Sequence, residues 1–179
     1  MELQTGMTKS ETRNVDTVNT NVRSVSELNW EQLNWKQLGK SVRRIQARIV
    51  KAQEQGRTGK VKSLSYVLVR SFAAKALAVK HVSSNKGAAT PGVDGVLWKT
   101  PSQKAEAILD LNPDKYKAKP LKRKYIQKTS GNKMRPPGIP TMKDRAMQAL
   151  YAKALVPVAE TTRIRCPMDS VRNGRLQMP

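Results

Sequence analysis

The chain has 179 residues, with 34 Lys and Arg against 13 Asp and Glu and a net charge of +21. That length allows one domain with a modest core, and so large a cationic surplus points to a polyanion, most simply nucleic acid. The single cysteine, Cys166, excludes an internal disulfide and a cysteine zinc site and fits a reducing compartment, cytoplasmic or in an organelle of bacterial ancestry; eight aromatic residues are too few for a stacking platform.

In chain order, residues 1–30 carry three basic and four acidic residues, net −1, so the remainder carries +22. This polar stretch lacks the apolar region of a signal peptide and reads as a disordered leader. No later apolar run approaches the ~18 residues of a membrane span. From Trp35 the apolar residues Leu38, Val42, Ile45, Ile49 and Ala52 recur at three and four, one face of a helix that Asn34 can cap and Gly56 can end. The opposite face carries Lys36, Lys40, Arg43, Arg44, Arg48 and Lys51. After the turn at Gly56–Gly59, a second face comprises Val61, Leu64, Leu68, Phe72, Ala76 and Val79, with Lys62, Arg70, Lys75 and Lys80 opposite. Two such helices should fold back as an antiparallel hairpin over residues 31–82. Between Lys36 and Lys80 the one acid is Glu54, whereas solvated helices normally mix both signs, so phosphate contact is the favoured reading of these faces.

Residues 83–95 form a Gly/Pro loop with Pro91-Gly92 and Asp94-Gly95 as turn dipeptides. His81, the one histidine, reads as a solvated helix-end residue. Residues 102–111 suggest a short helix with Ala105, Ile108 and Leu109 inward. Two candidate strands, 121–127 and 134–139, flank a Gly/Asn turn at 129–133. Thr141 is a good N-cap with Asp144 in the first turn, opening a helix over 142–160 with Met147, Leu150, Leu155 and Val158 for burial; Pro157 should kink or end it. The fold class expected is α+β: mostly helical, with an N-terminal helix hairpin, a small β-hairpin and a long helix.

The hairpin carries the most specific signal. Ile126-Gln127-Lys128, Gly131, Arg135-Pro136-Pro137-Gly138-Ile139-Pro140 and then Asp144-Arg145 and Gln148 resemble the first block of the fingers of reverse transcriptases encoded by group II introns, the maturases. Asn85–Gly95 resembles the block before it. The resemblance covers residues 29–162, with Gln127 and Pro137 standing where the family usually has Pro and Leu. It implies a reverse transcriptase N-terminal domain at 31–82, the start of the fingers at 83–160, and Lys128 and Arg135 as contacts for the triphosphate of an incoming nucleotide. The hairpin cations Lys122, Arg123, Lys124 and Lys133, the helix cations Lys143 and Arg145, and the row Lys40, Arg43, Arg44, Arg48 and Lys51 are the expected RNA contacts.

The family polymerises with palm carboxylates that hold two magnesium ions. Asp94, Asp110, Asp114, Asp144 and Asp169 show no such spacing. The resemblance therefore implies no metal site and no cofactor in this chain, magnesium belonging to the full-length family enzyme. Residues 161–179 read as irregular. Codons compatible with 163–179, regrouped one base out of phase with wobble bases free, resemble the family's next block, so a single-base frameshift is expected there. Two functions stay open: a reverse transcriptase and maturase remnant that binds intron RNA, or DNA, without polymerising; and a self-standing basic RNA-binding module.

Overall fold

The computed structural model describes residues 28–127 and 134–165, with side chains to 162. The expected leader up to residue 27, the expected turn 129–133, Lys128, and the tail expected to be out of frame, from residue 166 on, lie outside these residues. Residues 28–30 join the folded body: Leu28 is buried, and the Trp30 ring meets that of Trp35 edge-on at 4.7 Å.

Among the described residues, five α-helices carry the fold: α1 (Trp35–Glu54), α2 (Thr58–Arg70), α3 (Phe72–Ser84), α4 (Pro101–Asp110) and α5 (Met142–Arg165). Asn34 caps α1, its side chain accepting from the Gln37 amide at 3.1 Å. Leu38, Val42, Ile49 and Ala52 are buried as the spacing predicts. After α1 the chain turns through Gly56 at φ 67°, which suits glycine.

The second predicted helix is two. Ser71 is extended (φ −67°, ψ 138°), its amide donates back to the Leu68 carbonyl, and its hydroxyl accepts from the Ala74 amide at 3.3 Å. One residue thus ends α2 and caps α3. The apolar face still runs through the break, because Val61, Leu64, Leu68, Ala76 and Val79 are all buried. Helix α3 touches α1, α2, α4 and α5. Four buried alanines, Ala73, Ala74, Ala76 and Ala78, allow those neighbours to approach it closely. The core is a single cluster in which Ile49, Leu68, Val79, Ile108, Leu111, Met147 and Leu150 are almost completely enclosed.

Helix α4 opens on Thr100, which accepts from the Gln103 amide while the Gln103 side chain accepts from the Thr100 amide. It buries Ala105, Ala107 and Ile108, whereas Leu109 is half-buried. On α5, Met142, Ala146, Met147, Leu150 and Ala154 are buried, Val158 is half-buried and Leu155 is 62% exposed. The helix continues past Pro157, so residues 161–165 are helical and not irregular. Gln46 donates to the Lys153 carbonyl at 2.8 Å and Gln53 to the Thr162 hydroxyl at 3.5 Å. These nearly equal sequence offsets run α1 and α5 side by side in the same direction. The start of α1 therefore lies toward the end of the body from which the β-hairpin springs.

That hairpin has strands β1 (Lys122–Arg123), β2 (Ile126–Gln127), β3 (Met134–Arg135) and β4 (Gly138–Ile139). Lys122 faces Ile139, Arg123 faces Gly138, Ile126 faces Arg135 and Gln127 faces Met134. One antiparallel register runs through all four strands. The ladder breaks opposite Pro136 and Pro137, which have no amide to donate, leaving the Lys124 amide on the Pro137 carbonyl at 3.2 Å. The expected hairpin and the α+β class are thus observed.

Candidate nucleic-acid interface

Lys40, Arg43, Arg44, Arg48 and Lys51 are all exposed and fall on the side of α1 away from its buried residues, Lys40, Arg44, Arg48 and Lys51 at spacings of four, four and three with Arg43 beside them. The three ion pairs seen among the described residues are Arg70 with Asp114, Lys119 with Asp94, and Lys143 with Asp110. None involves Lys40, Arg43, Arg44 or Arg48. On the hairpin, Lys122, Arg123, Lys124 and Arg135 are exposed. The pleat puts Lys122 and Arg135 on the same side as Ile126 and Ile139. Lys133, like Lys128, is outside the described residues.

Ile126, Pro137, Gly138, Ile139 and Pro140 form one wall of a groove of 720 Å³. The other walls are Gln148, Ala149 and Ala152 of α5, His81 and Val82 of α3, and Gly87 and Thr90 of the loop. His81 is exposed in the last turn of α3, and its Nε2 lies 3.3 Å from the Asn85 side-chain nitrogen.

Two cations expected to face RNA are tied to protein partners. Lys143 donates to Asp110 at 2.6 Å, joining α5 to α4. All three guanidinium nitrogens of Arg145 reach protein acceptors: Nε donates to the Pro140 carbonyl at 3.1 Å, Nη1 to the Gly87 carbonyl at 2.6 Å and to the Met142 sulfur at 3.6 Å, and Nη2 to the Thr90 carbonyl at 2.8 Å. Lys75 and Lys153 are half-buried, and loss of water lowers both ammonium pKa values, with Arg70 beside Lys75 adding to its shift.

The base of the hairpin converges on a buried carboxylate, Asp144. Its Oδ1 accepts from the Tyr116 phenol at 2.5 Å; its Oδ2 accepts from the Thr141 hydroxyl at 2.6 Å and the Thr141 amide at 3.3 Å. The Asp144 amide donates back to the Thr141 hydroxyl at 3.2 Å, so Thr141 is the N-cap that was expected. Burial by itself would push the Asp144 carboxyl up. The hydrogen bonds from Thr141, Tyr116 and the Lys119 amide together outweigh it and hold the carboxyl below the ordinary aspartate value. Burial and the adjoining carboxylate push the Tyr116 phenol up to about 12.

Gly92 lies against this same turn. A Cβ there would stand 2.6 Å from the Thr141 Cα and 2.9 Å from its nitrogen, both backbone atoms that cannot swing aside. Gly92→Ala should therefore lower stability by about 1–3 kcal/mol, the usual cost of overpacking, read as a fall in the thermal midpoint. An unchanged midpoint would mean that the loop shifts freely.

Sequence reasoning missed the Tyr116–Asp144 bond and the Arg145 anchoring, since both join residues far apart in the chain. The Thr141/Asp144 spacing did signal that a cap was present.

With this geometry, the helical body can be compared with known proteins. Residues 30–111 match the family model of the N-terminal domain of reverse transcriptase. The match runs past residue 82 to the end of α4. The chain is 41% identical over 90 residues to Protein YkfC of Escherichia coli strain K12, which is 47% of this chain and 23% of that protein. It is 38% identical over 74 residues to the Group II intron-encoded protein LtrA of Lactococcus lactis subsp. cremoris, 40% of this chain and 12% of that protein. The chain thus spans less than a quarter of the length of either relative. Among the described residues no helix is long and apolar enough to cross a membrane.

Proposed function

We propose that the chain grips RNA through its phosphates, as the N-terminal part of a group II intron reverse transcriptase and maturase, and that intron RNA is its natural partner. The observation that carries this reading is the exposed row Lys40, Arg43, Arg44 and Arg48 on α1, outside every observed ion pair. A merely solvated helix face would be laced with acids. The kinship with an intron-encoded protein supports RNA as the polyanion. The exposed hairpin adds a second set of cations, Lys122, Arg123, Lys124 and Arg135. Arg135 presents a planar guanidinium suited to bidentate phosphate contact.

On this reading the chain does not extend a primer by itself. Phosphoryl transfer of this kind uses carboxylates that hold two metal ions about 3.5–4 Å apart. Among the described residues no group of three or more His, Cys, Asp and Glu could hold a metal. The test is incorporation of labelled nucleotide on a primed RNA template with magnesium, using protein free of host polymerases. No extension is expected. Template-dependent extension abolished by Arg135→Ala would overturn the reading.

A further inference from the structure

The hairpin's strands make their main contacts with each other, and their residues are exposed except for the half-buried Ile139. Across the groove they stand off α5 and α3. The hairpin is therefore fastened to the body chiefly at its two stems, and both stems end on one helical turn. On the entering side, the Tyr116 phenol binds Asp144. On the leaving side, Arg145 holds the Pro140 carbonyl and Thr141 caps the helix. The same guanidinium reaches the Gly87 and Thr90 carbonyls, and Gly92 sits against Thr141. Three separate chain segments thus meet on residues 141–145.

We propose that this first turn of α5 is a hinge block that sets the angle of the basic hairpin against the helical body, with Arg145 a positioning residue that acts on RNA without touching it. The proposal rests on the RNA-binding reading for its effect on affinity, but not for its effect on the chain. Three carbonyls from the Pro140, Gly87 and Thr90 peptides surround the guanidinium plane. With these bonds made, most of the guanidinium N–H donors are turned to the protein and few are left for a phosphate. A lysine has one ammonium and cannot serve three carbonyls in that planar fork. Arg145→Lys should therefore behave like Arg145→Ala, although it keeps the charge.

Two measurements on the full chain decide the matter. The first is backbone amide exchange by mass spectrometry, without RNA. Arg145→Ala and Arg145→Lys should both speed exchange at residues 86–92 and 118–127 while leaving 38–52 and 61–69 unchanged. Unchanged exchange at the stems, faster exchange everywhere, or protection restored by lysine would each overturn the hinge. The second is binding to a labelled RNA stem-loop over a range of salt. Arg145→Ala should weaken binding about three- to thirtyfold, the usual reach of a residue that acts through position, yet leave the salt slope at the wild-type value. Arg43→Ala should lower that slope by roughly 0.7–0.9, the loss of one phosphate contact. A drop of that size in Arg145→Ala would make Arg145 a phosphate contact and overturn the proposal, and so would unchanged affinity. Wild-type protein that fails to bind RNA would refute the RNA reading, leaving the exchange result to decide the hinge.

Discussion

Reversing the charge at Arg43, Arg44 and Lys51 together should weaken RNA binding by roughly a hundredfold or more at low salt, whatever the RNA sequence. The three side chains are exposed on one face of α1. None lies among the core contacts, which come from Leu38, Val42, Ile49 and Ala52 on the other side of the helix. The fold should therefore survive, and the thermal midpoint should change little. Each reversal removes one cation that releases counterions from the RNA and sets an acid in its place, so both attraction lost and repulsion gained act in the same direction. Phosphates carry no sequence information, so the loss should be similar for every RNA tested. Loss confined to one RNA would indicate base readout instead.

Asp144→Ala should cost the fold about 3 kcal/mol. It removes the acceptor from the Tyr116 phenol and the Thr141 hydroxyl and amide, in a site where Thr141 and Asp144 are nearly inaccessible to water. Buried donors left unpaired cost more than the bonds themselves contributed. The same contacts make stability depend on pH. The folded pKa of Asp144 is depressed, so its contribution is present above the unfolded value, near 4, and is lost as pH falls through the folded one. Tyr116 gives the mirror case. Its folded pKa, about 12, is raised, so its contribution is present below the unfolded value, near 10, and fades as pH rises toward 12. Chemical denaturation of wild type and Asp144→Asn across acid pH tests this. The variant should be less stable at neutral pH and lose less on acidification. Parallel curves would show that Asp144 is not the group responsible.

Much of the fold was legible because its periodicities were clean. The buried set Leu38, Val42, Ile49 and Ala52 follows from spacing alone, as does Val61, Leu64, Leu68, Ala76 and Val79. The hairpin was legible from its turn residues and prolines. What escaped notice was punctuation: Ser71 breaks a helix without disturbing its apolar face, because its side chain supplies the cap that the next helix needs. The helical spacing predicts an inward Leu155, yet it is exposed while the smaller Ala154 beside it is buried. At the site, exposure of the α1 cations could be read from the pattern. The role of Arg145 could not, since its partners Gly87 and Thr90 lie more than fifty residues away and offer carbonyls, which no side-chain motif announces.

Phosphate contact is tested most directly by one titration. The purified chain is bound to a labelled RNA stem-loop at increasing monovalent salt, and the logarithm of the association constant is plotted against that of the salt concentration. Neutralising roughly five phosphates predicts a line falling with a slope of about −4 or steeper. A nearly flat line would contradict it, because a positive surface that binds RNA through its backbone cannot be indifferent to the ions it displaces.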